Sequence, residues 1–266
     1  MKLALGTAQF GMDYGISNST GKINSTEAEE ILALCRAEHI NTIDTAQVYG
    51  ESETVLGNSG LENFDIVTKI TDKNNSDNLE ISLERLKLPH IYAALLHDEN
   101  EMNEKNYAKL ENYKSQGLVQ KIGVSVYSPI KLETIMKNYK IDIVQIPLNI
   151  LDQRFLPLLP KLKEKSIEIH IRSVFLQGLL LMKDIPDYFN SIKPVLNKMP
   201  KDRLGFCLHF VKNIEEVDKI VIGVTSKNEL QQIICAYNKK FFDYSEYMID
   251  DEKIVNPSLW KINSKH

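Results

Sequence analysis

Long apolar runs are missing from this sequence. The longest, "VFLQGLLLM", falls well short of the roughly 20 residues that a membrane helix needs, so no membrane span is expected. Charge of one sign is missing too: 32 basic residues stand against 36 acidic ones, a formal net charge of -4. That balance offers neither a basic footprint for nucleic acid nor an acidic tail. Cysteine is scarce, with three in 266 residues. Cys35, Cys207 and Cys235 are odd in number, far apart and set among apolar, helix-like neighbours. They read as reduced core thiols, not as a disulfide frame or a metal site. No Pro, Gly or Ser tract divides the chain, and no segment is low in complexity. The opening "MKLALGTAQFG" is broken by Gly and Gln too early for a secretory signal. A cytoplasmic location is the expectation.

What the sequence has in abundance is alternation. Short apolar runs recur at "KLALGT", "NTIDT", "DIVTKI", "IYAALLH", "VQKIGVS", "DIVQIP", "IEIHIRS" and "KIVIGV". Between most of them lie segments with helical periodicity, such as "TEAEEILALCRAE" and "NEKNYAKLENYKSQ". Thr26 and Glu29 form a capping-box pattern ahead of the first of these helices. The runs lack in-out alternation, as expected of strands covered on both faces. Eight strands, each followed by a helical or looped segment, predict an α/β fold of the (β/α)8 TIM-barrel type. A doubly wound sheet fits less well, because "GTAQFG" leads into a long polar loop and does not open a helix directly. The expected organisation is a single barrel domain over residues 1–266. Residues 239–266 form a C-terminal extension that either covers the barrel mouth or packs on its side.

In such barrels chemistry gathers at the C-terminal ends of the strands. Those positions read Asp44 with Tyr49 in the following loop, Lys69, His97, Ser125, and Gln145 running on to Asn149. Each alone fits a bland role: a turn cap, a solvated charge, a rim histidine. Together they would face one mouth. A phenol with a reference pKa near ~10 is a poor proton donor at neutral pH. A nearby ammonium stabilises the phenolate and makes the phenol a better acid. Lys69 could do this for Tyr49, with Asp44 holding Lys69 charged, and His97 could orient a carbonyl oxygen toward Tyr49. No His/Cys/Asp spacing suggests a metal. The set predicts proton delivery to a carbonyl oxygen while a donor attacks its carbon. In "IVIGVTSKNEL", Gly223, Thr225 and Ser226 suit a phosphate at a helix N-terminus; an ordinary N-cap at Ser226 is the other reading.

On "LGTAQFG", "IDTAQVYG.SE..LG", "TKI", "LLHDEN", "IGVSVYS", "QIPLN" and "IGVTSKNEL" the chain resembles the aldo-keto reductases, nearly end to end. The resemblance implies that Asp44, Tyr49, Lys69 and His97 are the catalytic tetrad of a nicotinamide-dependent carbonyl reductase. The implied cofactor is NADP(H), with NAD(H) as the alternative, and the implied partner is a small-molecule carbonyl substrate, sugar-like in one reading. The same resemblance implies a cofactor groove. Gly6 and Thr7 lie in its first-strand landmark, Ser125 and Gln145 would hold the carboxamide, and Arg172 takes the place of a tyrosine that often stacks on the nicotinamide. Ser173, Leu176, Gly178, Gly223, Thr225 and Ser226 would follow the phosphates, and Lys227, Glu229 and Gln232 would follow the adenosine end.

Departures from the family pattern accompany these matches. Val126 stands where an asparagine is usual. Glu229 stands where a basic or amide residue usually meets the 2′-phosphate, leaving Lys227 as a substitute, and Gln232-Ile233 replaces a Glu-Asn pair. In "NPSLWKI" the single tryptophan, Trp260, is expected either as a pocket wall or packed on the barrel side. A competing reading is a cofactor-binding sensor or regulatory subunit with little turnover. A sugar-phosphate isomerase on the same barrel would want a different base and no phenol acid.

Overall fold

The computed structural model describes residues 1–72, 79–237, 247–249 and 251–260. Eight parallel strands close into a barrel in sequence order. They are β1 (Leu3–Gly6), β2 (Thr42–Asp44), β3 (Asp65–Ile70), β4 (Ile91–Leu96), β5 (Val119–Ser125), β6 (Ile143–Pro147), β7 (Glu168–Arg172) and β8 (Lys219–Gly223). The ring shuts where β1 pairs with β8, with Leu5 opposite Ile222 and Gly6 opposite Gly223. All eight coincide with the apolar runs of the sequence, because strands covered on both faces must be apolar throughout.

The helices are α1 (Ala8–Gly11), α2 (Ser25–Ala37), α3 (Ser52–Asn58), α4 (Leu79–Leu86), α5 (Glu104–Ser115), α6 (Pro129–Asn138), α7 (Leu159–Glu164), α8 (Lys193–Lys198), α9 (Arg203–Lys212), α10 (Lys227–Tyr237) and α11 (Glu252–Val255). The Thr26–Glu29 capping box is not formed. Asn24, in extended backbone, caps α2 by accepting a hydrogen bond from the Glu27 amide, so the helix starts before Thr26. Cys35 and Cys207 are buried thiols whose pKa burial pushes up to about 12. Cys235 departs from the expectation and is exposed. On α10 the buried stripe runs through Leu230, Ile233, Ile234 and Tyr237, and Cys235 falls off it. Among the described residues no helix is long and apolar enough to cross a membrane, and no cluster of His, Cys, Asp and Glu could hold a metal.

Away from the strand C-termini, a polar group fills the barrel that the sequence did not advertise. Glu168 accepts from the Tyr92 hydroxyl at 2.6 Å and from the Lys121 ammonium, and lies 2.6 Å from His170 Nε2. Burial pushes the Glu168 carboxyl upward. Hydrogen bonds from His170, Lys121 and Tyr92 outweigh that and hold it far below the usual glutamate range. Tyr92, by burial and by its bond to Glu168, is pushed up to about 12. A folded-state pKa below the unfolded one gives stability that is fully present above the ordinary value of 4.5 and is lost progressively as pH falls from there through the folded-state pKa. Glu168→Gln should therefore cost about 1–3 kcal/mol near pH 7. Against wild type in urea titrations the gap should narrow steadily toward pH 3; a gap independent of pH would refute the assignment.

Candidate active site

The mouth of the barrel encloses a cavity of about 580 Å³, within the size range of small-molecule sites. Asp44 closes β2 with its side chain buried. Its Oδ1 accepts from Lys69 Nζ at 2.6 Å and its Oδ2 from Gln145 Nε2 at 2.6 Å. Lys69, only 1% exposed, also donates to the Thr45 carbonyl at 3.0 Å. Such depth is tolerable for an ammonium only because the carboxylate and the carbonyl replace its water. Burial still lowers the Lys69 pKa, against the upward pull of Asp44.

Tyr49 sits in a tight loop in which its amide donates to Ala46 O and its carbonyl accepts from Ser52 N, both at 3.1 Å. The loop is pinned from below. Ser52 Oγ donates to the Thr7 carbonyl at 2.8 Å and lies 3.1 Å from Thr45 Oγ1, while Thr7 Oγ1 donates to the Asp44 carbonyl at 2.9 Å. α1 presses on the same loop so closely that a Cβ on Gly11 would stand 1.7 Å from the Tyr49 carbonyl. The Tyr49 ring meets His97 edge-on, with centroids 6.2 Å apart, and has the Lys69 ammonium 5.0 Å from its centroid.

Acid, phenol, ammonium and imidazole thus line one cavity, as the strand ends suggested. The electrostatics differ from the expectation. Lys69 is turned to Asp44 and Thr45 and makes no hydrogen bond to the Tyr49 hydroxyl. Burial raises the Tyr49 pKa and Asp44 raises it further; the cation that pulls it down is Arg172. Tyr49 is accordingly a protonated phenol at neutral pH.

The remaining predicted residues divide. Gly6, Thr7, Ser125, Gln145, Arg172, Ser173, Gly178, Gly223, Thr225, Glu229 and Gln232 line the cavity. Leu176, Ser226 and Lys227 do not. The Leu176 side chain is fully buried in the core, as is that of Val126 just past β5. Asn149 is a structural turn residue whose Oδ1 accepts the Leu151 and Asp152 amides at 2.9 Å.

At α10 the N-cap reading of Ser226 holds, with its Oγ accepting the Glu229 amide at 3.2 Å. Glu229 Oε2 accepts the Thr225 amide at 2.6 Å, so the chain's own carboxylate occupies the helix start. Lys227 is drawn to α2. Its amide donates to Glu27 at 2.5 Å and its ammonium to Glu30 at 3.3 Å.

After β7 the chain takes left-handed backbone at Ser173, Leu176, Gln177 and Gly178, with φ of 62, 46, 55 and 88°. The segment after β1 crosses this loop, where Ser17 N and Oγ donate to the Gln177 carbonyl at 3.4 and 3.2 Å. A Cβ on Gly178 would lie 1.8 Å from Ser17 Oγ, so only glycine permits the crossing. Pro257 and Ser258 of the C-terminal stretch reach the cavity wall. Trp260 instead stacks edge-on against Phe189 at 4.7 Å and donates its Nε1–H to Ile254 O. Residues 238–246, 250 and 261–266 of that stretch lie outside the described residues.

Sequence reasoning missed Tyr14, Gln9 and Tyr127 in the lining. Tyr127 follows Ser125 by two residues, and its position just past a strand end was the available signal. Its ring lies 3.8 Å from the Arg172 guanidinium carbon.

The model of the Aldo/keto reductase family matches residues 2–253. A search of curated proteins finds no match to the sequence. Among solved structures, the fold is similar to the holo form of aldo-keto reductase AKR11C1 from Bacillus halodurans (TM-score 0.76, 19% identity, 92% of this chain and 89% of that one). Its apo form aligns with a TM-score of 0.72 at 19% identity, over 91% of this chain and 87% of that one. PA4992 from Pseudomonas aeruginosa aligns with a TM-score of 0.71 at 22% identity, over 89% of each chain.

Proposed function

Because the chain belongs to the aldo/keto reductase family, we propose that it reduces an aldehyde or ketone with Tyr49 as the proton donor. The observation that carries this reading is the convergence of Tyr49, His97 and the buried Asp44–Lys69 pair on one cavity. The nicotinamide cofactor of the family supplies a hydride to the carbonyl carbon. The chain's own residues do the rest. Tyr49, protonated at neutral pH, gives its phenolic proton to the oxygen on which charge develops. His97 donates a hydrogen bond to the same oxygen and fixes its direction. Asp44 holds Lys69 beneath the phenol, and the cation that supports the phenolate left behind is Arg172. General-acid help of this kind is worth ~10²–10⁴ in rate.

Residues of the cavity suit an extended nucleotide along its β8 side. Gly223 packs so closely on the Gln9 amide that a Cβ would stand 2.7 Å from its Oε1, a buried acceptor that no described residue satisfies. At the far end the donor set suits a ribose better than a 2′-phosphate. Glu229 already holds the Thr225 amide, and Lys227 is drawn off by Glu30. A phosphate there would face carboxylates without an offsetting cation among the described residues. NADH is thus the favoured cofactor in this reading, against the NADP(H) that the family habit suggested. Fluorescence titration should give NADH a dissociation constant at least about tenfold lower than that of NADPH, a difference of about 1.4 kcal/mol. Glu229→Lys should reverse the order. Tighter binding of NADPH by the wild type would refute the preference.

A further inference from the structure

Arg172 is the one cavity-lining cation that no carboxylate neutralises among the described residues. The cavity has two carboxylates, and both are engaged: Asp44 by Lys69 and Gln145, Glu229 by the Thr225 amide. The bonds that Arg172 makes are all long. Nε reaches Ser125 Oγ at 3.4 Å, Nη1 reaches Ser173 Oγ at 3.5 Å and Nη2 reaches the Val126 carbonyl at 3.4 Å. A guanidinium has five N–H donors, so strong acceptors are lacking for most of them. Its face is taken by Tyr127, at 3.8 Å, which fixes the plane and leaves its edge for a ligand. Tyr127 is in turn anchored by its amide to the Glu99 carboxylate. A half-buried guanidinium set this rigidly, with no carboxylate beside it among the described residues, is a site prepared for an oxyanion.

Its place in the cavity says which anion. Arg172 stands at the reacting end of the cavity: its Nε reaches Ser125, Ser125 pairs in register with Gln145, and Gln145 donates to Asp44. The wall assigned above to the nucleotide runs instead along Gln9 and Gly223. We propose that Arg172 is an anion anchor for the substrate, and that this protein selects carbonyl compounds bearing a carboxylate or phosphate close to the reacting carbonyl. This rests on the carbonyl-reductase reading above and narrows its substrate class.

The test compares 4-carboxybenzaldehyde with 4-methylbenzaldehyde in wild type, Arg172→Lys and Arg172→Met at saturating cofactor. The readout is the ratio of kcat/KM for the acid over the neutral aldehyde, which cancels any loss common to both. Wild type should favour the acid by at least ~10-fold, the scale of one hydrogen bond to a charged group. The ratio should fall toward one in Arg172→Met and partway in Arg172→Lys, which keeps the charge but lacks the fork. A wild-type ratio near one, or one that both variants leave intact, overturns the proposal. So does an unchanged ratio accompanied by weakened NADH binding, because Arg172 would then serve a cofactor phosphate. If wild type turns over neither aldehyde, it is the carbonyl-reductase reading that is in question, and a broad panel of aldehydes and ketones tests that separately. Calorimetric titration of the same proteins with 4-carboxybenzaldehyde then decides the anchor: binding lost in Arg172→Met supports it, and no binding by wild type overturns it.

Discussion

Tyr49→Phe should lower kcat/KM for carbonyl reduction by at least ~10² while changing the cofactor dissociation constant less than about twofold. The substitution keeps the ring that meets His97 edge-on and lies 5.0 Å from the Lys69 ammonium. It removes only the transferable proton. That hydroxyl makes no hydrogen bond to another described residue, so its loss leaves no protein group newly unpaired and stability should hardly move. The loss is confined to the transition state, where charge gathers on the carbonyl oxygen and the phenol must yield its proton. Denaturation midpoints measured beside the kinetics separate this outcome from simple unfolding. Equal losses of rate, cofactor affinity and stability would mark Tyr49 as a packing residue.

A second large effect is expected at Asp44. Asp44→Asn removes the charge that faces Lys69 across 2.6 Å in a pair with side-chain exposures of 1% and 4%. An ammonium so deeply buried then has only the Thr45 carbonyl and a neutral amide beside it. Stripping one partner from a buried ion pair costs about 3–5 kcal/mol, most of it from the orphaned charge. The urea midpoint should fall at nearly unchanged slope. Lys69→Met in the same chain removes the orphan and should recover part of the loss, giving a coupling of about 1–3 kcal/mol in the double-mutant cycle. A change below about 0.5 kcal/mol for Asp44→Asn alone would show that Lys69 is not held as a cation.

Much of this architecture was readable from residue order alone. Parallel strands covered on both faces must be apolar, so Asp44, Lys69, His97 and Ser125 stood out as interruptions at the one end where a barrel keeps its chemistry. The strand positions followed from the same contrast. What escaped depends on closure of the ring. Gln145 is separated from Asp44 by 101 positions and meets it only across the barrel. The Arg172–Tyr127 stack joins the ends of β7 and β5, which are not neighbours in sequence or in the sheet. The Glu168 cluster likewise gathers residues of β4, β5 and β7, with Tyr92 and Glu168 76 positions apart in the chain. The α2 cap was misplaced for a local reason: Asn24 and Thr26 are both good caps, and extended backbone at Asn24 decides between them. At Lys227 the sequence supplied a cation near a needed place, but α2 offered it Glu30 first.

Whether the cavity reduces a carbonyl, beyond holding a nicotinamide, is decided by a single-turnover experiment. Purified protein in excess over NADH is mixed with 4-carboxybenzaldehyde, and both the absorbance of the reduced cofactor and the alcohol formed are followed. A reductase loses the reduced-cofactor signal and forms one alcohol per NADH consumed, which is the expected result. Tight NADH binding with neither signal decay nor alcohol, repeated across a broad panel of aldehydes and ketones, would contradict it and leave a cofactor-binding sensor on a reductase barrel.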